Sequence, residues 1–114
     1  MRKSAVLAEP QPHLKRLVLY EDEQGVYLFG YDTLEDAGCV WDAWFKTVAD
    51  AEEAAQQKYR VAPTAWKVIA EPLPNCQHDW ITPVRVAGRT EGNPRWEQLE
   101  KLIDGQWVLF NHLV

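Results

Sequence analysis

The stretch from Thr47 to Tyr59 reads as the main helix of this chain, and that limits its fold more than any other feature. From Thr47 to Tyr59 the apolar residues Val48, Ala51, Ala55 and Tyr59 recur at helical spacing. Thr47 is a good N-cap, and Asp50 stands three residues on, where a capping box has Glu or Gln. Asp50, Glu52 and Glu53 lie at the positive end of the helix dipole, and Lys58 and Arg60 near its negative end. The alanines of the stripe predict close packing against a sheet, and Pro63 helps to end the helix.

The other ordered stretches read as strand. In Leu14–Tyr20, Leu17 and Leu19 share one face, while Leu14, Val18 and Tyr20 share the other with Arg16. Glu21 to Gly25 is a turn, and Val26–Tyr31 is rich in β-formers, so the pair reads as a hairpin. Cys39–Phe45 is a further strand, with Trp41, Ala43 and Phe45 pointing one way and Asp42 and Trp44 the other. One face therefore carries an indole beside a carboxylate.

Ala65–Ile69 follows the helix as a strand, and a strand–helix–strand passage in one sheet crosses over right-handed. Trp80–Val86 is extended, with Trp80, Val84 and Val86 on one face. Pro83 cannot donate to a ladder, which makes this stretch an edge strand or a partly paired one. For the last segment two readings stay open. Trp96–Ile103 and Gln106–Phe110 form a hairpin through Asp104-Gly105, a pair suited to a type I′ turn, or a helix runs from Asn93-Pro94 to Gly105. The hairpin is preferred. The expected fold class is α+β: an antiparallel-rich β-sheet of about five to six strands with one main α-helix packed on one face.

A chain of 114 residues fits one domain. Residues 1–12, with Pro10 and Pro12, are expected to be a flexible N-terminal arm, and residues 13–114 a single α+β domain. No run approaches the roughly 20 apolar residues of a membrane span. The apolar stretch after Lys3 stops short of the roughly 7–15 residues of a signal-peptide core, so the expected compartment is the cytoplasm. The net charge is −5, from 17 acidic and 12 basic residues, which argues against nucleic acid as a partner, because phosphate binding is driven by a basic surface. The same charge suits a basic protein partner.

The segments Cys39–Thr47, the alanine-rich helix and Ala65-Trp66 together resemble small bacterial proteins in which a Trp-bearing strand, a short helix of Ala and acids, and a second Trp-bearing strand follow one another. Cys76–Val86 and Gly92-Asn93-Pro94 with Trp96 are similar too, so the resemblance spans residues 14–110. No activity is attached to that group, and the resemblance implies no functional residue.

Chemistry concentrates between Asn75 and Arg85, where Cys76, His78, Asp79, Trp80 and Arg85 bring together a thiol, an imidazole, a carboxylate, an indole and a guanidinium. Cys76 and His78 stand two apart on an extended chain, so both can face one metal, with Asp79 and Cys39 completing a ligand set. Against this, the chain has only two cysteines and no Cys-x-x-Cys pair. As a catalytic pair, His78 would take a proton from Cys76, oriented by Asp79 or Asp42, but no helix N-terminus is expected at Cys76 to lower its pKa. His13 and His112 lie near the ends and add little.

The six tryptophans are dense for this length. Trp41 and Trp66 are expected in the core. Trp41 and Trp44 lie on opposite faces of one strand, so a single helix cannot cover both. Exposed Trp and Arg are typical interface anchors. The favoured reading is thus a non-enzymatic protein-interaction module, either homodimeric or immunity-like. It would bind a protein partner or its own copy through Trp44, Trp80, His78, Arg85 and Arg89, with no cofactor, nucleic acid or membrane. The alternative is a small enzyme or metal-binding protein centred on Cys76, His78 and Asp79.

Overall fold

Eight strands and one α-helix make up a computed structural model whose described residues are 1–110. The architecture is α+β, with two antiparallel sheets of five and three strands. The chain clusters into two compact units, Met1–Glu71 and Pro72–Val114, where the sequence reading has an arm and one domain over 13–114.

The first unit holds the five-stranded sheet. Its strands are β1 (Arg2–Gln11), β2 (Leu14–Asp22), β3 (Gly25–Tyr31), β4 (Trp41–Phe45) and β5 (Lys67–Ile69), in the order β4-β3-β2-β1-β5. The expected flexible arm is corrected here: residues 2–11 form β1, which pairs with β2 on one side and β5 on the other. Its alternation mixes polar and apolar residues on both faces, which hid it in the sequence. Ala5 and Leu7 nevertheless enter the core. The connection between β2 and β3 is only Glu23-Gln24, so register follows from the turn and pairs Tyr20 with Tyr27 and Val18 with Phe29.

Helix α1 (Val48–Tyr59) connects β4, at one edge, to β5, at the other. Thr47 Oγ1 accepts the Asp50 N–H at 3.1 Å, as the N-cap expectation requires. The helix ends at Arg60, which turns left-handed at φ 57°; its N–H donates to the Gln56 carbonyl and the Val61 N–H to the Ala55 carbonyl, before Pro63 is reached. Ala51 and Ala55 are fully buried against Leu17, Leu19, Val26 and Leu28, with Trp41, Phe45 and Trp66 at the margin. Small side chains at these two positions let the helix approach the pleat closely.

The second unit carries β6 (Val84–Ala87), β7 (Arg95–Ile103) and β8 (Gln106–Phe110), in that order across the sheet. The hairpin reading of residues 96–110 holds: Asp104 and Gly105 adopt φ 50° and 80°, the positive values a type I′ turn demands. β6 lies at an edge, as Pro83 suggested. Leu73 to Cys76 close a turn through Cys76 N–H to the Leu73 carbonyl at 3.1 Å. Pro74 and the left-handed Asn75 (φ 65°) occupy the central positions that favour a type II turn.

Candidate functional site

The face of the five-stranded sheet opposite the helix is built by cross-strand register. Arg2, Tyr20, Tyr27 and Trp44 form one row across β1 to β4, and Ser4, Val18, Phe29 and Asp42 form the next. The rings of Tyr20 and Tyr27 stack at 6.4 Å, and those of Tyr27 and Phe29 at 6.2 Å. Val18, Phe29 and Tyr31 are buried, with Cys39 and Ile69 packed against them. Trp44 stands apart from that cluster and is 54% exposed. Its indole lies across Gly25: a β-carbon there would meet Nε1, Cε2 and Cζ2 at 2.5–2.6 Å.

Two arginines on this face are internal. Arg16 is buried over the Tyr31 ring at 3.9 Å and donates to the Thr33 carbonyl at 3.2 Å and the Glu35 carbonyl at 2.9 Å. It therefore ties down the connection between β3 and β4. Arg2 is buried and donates from Nε to the Ala70 carbonyl at 2.8 Å. Burial pushes both guanidiniums below their ordinary range, with Tyr31 and Asp36 acting the other way.

The residues singled out in the sequence fall in both units: Trp44 and Cys39 in the first, Cys76, His78, Asp79, Trp80, Arg85 and Arg89 in the second. Trp80 is corrected as an exposed anchor. It is 4% exposed, with Phe110 edge-on at 5.7 Å and the Lys101 ammonium 5.5 Å from its ring. Arg85 is engaged internally as well. It lies 3.9 Å over the Trp107 ring and donates to Glu100 Oε1 at 2.9 Å, its register partner on β7. Arg89 and His78 are exposed.

Cys76 is buried, and burial pushes its thiol above the ordinary range, with Arg85 and Arg89 pulling the other way. That is the reverse of an activated nucleophile, which needs a depressed pKa. Among the described residues no group of three or more His, Cys, Asp or Glu is placed to hold a metal ion. His112 lies outside the described residues. Two surface hollows, ≈ 350 Å³ beside Arg95–Gln98 and ≈ 270 Å³ lined by Val6, Leu7, Pro10, Lys15 and Leu34, bring no set of catalytic groups together.

The sequence reading did not single out Tyr27, Gly25 or Asp22 as neighbours of Trp44. The signal was present: a two-residue turn between β2 and β3 sets Asp22 opposite Gly25 and Tyr20 opposite Tyr27. No family model, curated protein or solved structure matches this chain.

Proposed function

We propose that this chain is a non-enzymatic protein-binding module that docks a protein partner, or a second copy of itself, through the helix-free face of its five-stranded sheet, with Trp44 as anchor. The observation that supports it is the exposure of an indole at the open end of an ordered aromatic row, Tyr20–Tyr27–Trp44. An exposed tryptophan on a rigid strand has little side-chain freedom to lose on binding and a large surface to bury. Strand β4 is also an edge of its sheet. Among the described residues no strand pairs with its outer side, the side on which an added strand would pair.

The proposed partner is neither nucleic acid nor membrane. A net charge of −5 opposes phosphate binding. Among the described residues no helix is long and apolar enough to cross a membrane. The alternative centred on Cys76, His78 and Asp79 has less support, because the thiol is buried and held protonated.

The test compares partner capture by the intact chain and by its Trp44→Ala variant, using cross-linking with mass spectrometry and sedimentation for self-association. A partner, or a dimer, retained by the first and lost by the second supports the reading. Equal retention by both removes it.

A further inference from the structure

We propose that Trp44 and the carboxylates beside it form a receptor for a cationic side chain, arginine above all, carried by a basic segment of the partner; this rests on the protein-binding reading above. The indole bridges from β4 across to Gly25, whose register partner on β2 is Asp22. Asp42 stands two residues before Trp44 on the same face of β4 and is exposed, with no ion pair among the described residues. Trp44 is thus bracketed by one carboxylate across the sheet and another along its own strand. The Asp22 carboxylate is oriented by the turn, because its Oδ1 accepts the Gln24 N–H at 2.8 Å. Glu23, exposed at the tip of that turn, adds to the negative potential, while Lys46 follows directly after β4 and the two arginines of this face, Arg2 and Arg16, are buried.

A cation over an indole is attracted by the ring quadrupole, and a flanking carboxylate adds charge-assisted hydrogen bonds. The chain builds this trio internally in its second unit: Arg85 lies 3.9 Å over Trp107 and donates to Glu100. Trp44 repeats the ring and the carboxylates, and among the described residues no cation lies over it. A planar guanidinium fits such a site better than an ammonium, because it can stack and fork to oxygen at once.

The test follows the indole N–H resonance of Trp44, assigned with a Trp44→Phe variant. The probe is a short capped peptide, Thr-Val-Arg-Val-Thr, set against its citrulline analogue, which keeps the shape and loses the charge. The arginine peptide is expected to shift the resonance saturably. The citrulline peptide should bind about two- to fivefold more weakly. The Asp22→Asn, Asp42→Asn double variant should lose a similar factor, and salt should weaken the arginine peptide alone. Asparagine keeps the turn acceptor at position 22, so the fold is preserved. Equal binding of both peptides, or no shift with either, overturns the proposal. Trp44-dependent partner capture that survives neutralisation of both aspartates overturns it too, while leaving the protein-binding reading in place.

Discussion

The indole of Trp41 lies across Gly30, its register partner on the neighbouring strand, and leaves no room for a β-carbon there. A methyl group at Gly30 would stand 2.6 Å from Nε1 of that ring. Trp41 is also held from the helix side by Tyr59, at 5.8 Å between ring centroids. Gly30→Ala is therefore expected to cost about 1–3 kcal/mol, the usual penalty of overpacking. A lowered denaturant midpoint with an altered near-ultraviolet dichroism spectrum is the expected result. An unchanged midpoint would show that the indole can move aside freely.

Trp44 shows the opposite case. Its indole covers a glycine too, but the ring is exposed rather than clamped by the helix. Trp44→Ala should change stability by no more than about 0.5 kcal/mol, as surface substitutions do. Trp41→Ala, which opens space beside the core, should cost several times more. Denaturation of the two variants side by side checks this. A large loss in Trp44→Ala would make that residue structural and weaken its case as an anchor.

Arg85 links two neighbouring strands of the second sheet through Glu100 and packs on Trp107. Both side chains of the ion pair are 19% exposed, so water only partly replaces what a deletion removes. Arg85→Ala is expected to cost about 1–3 kcal/mol. Arg85→Lys should fall between, since an ammonium keeps the charge but cannot stack and fork together. Urea titration followed by tryptophan emission reads both. Identical midpoints for the lysine and alanine variants would show that charge contributes nothing at this site.

Burial raises the Cys76 thiol in the folded chain. A raised acid holds its proton more tightly when folded than when unfolded, so its stabilising contribution is complete below the ordinary thiol range. That contribution is lost as pH climbs from about 8.5 through the folded value. Tyr20 is raised too, by burial first and then Asp22, but its window opens only from about pH 10. Stability between about pH 8.5 and 10 should therefore fall more steeply in the intact chain than in Cys76→Ala. Iodoacetamide at neutral pH should modify Cys76 slowly until denaturant is added. Rapid labelling of the folded chain would contradict a buried, protonated thiol.

Much of the helix and of the hairpins in both sheets was legible in the sequence because their signals are local. The Thr47 cap, the alanine stripe, the β2–β3 turn and the Asp104-Gly105 pair each act within a few residues, and each appears where expected. Strand β1 was not legible. Its polar and apolar residues mix on both faces, and its second partner, β5, lies more than fifty residues further along the chain. Nor was the separation of β6, β7 and β8 into a sheet of their own, since strand pairing is a choice among distant backbones.

The candidate site divides in the same way. Alternation alone set Trp41 and Trp44 on opposite faces of β4, and composition alone set the charge. Which tryptophan stays exposed was decided by tertiary structure. Trp80 alternates with Val84 and Val86, and all three are buried, while Arg85 pairs across the strand with Glu100. The crowded stretch from Asn75 to Arg85 became a turn and a strand because desolvation claimed Cys76 and Trp80 and cross-strand pairing claimed Arg85, effects that are absent in one dimension. Trp44 kept its surface because the helix covers the other face of the sheet.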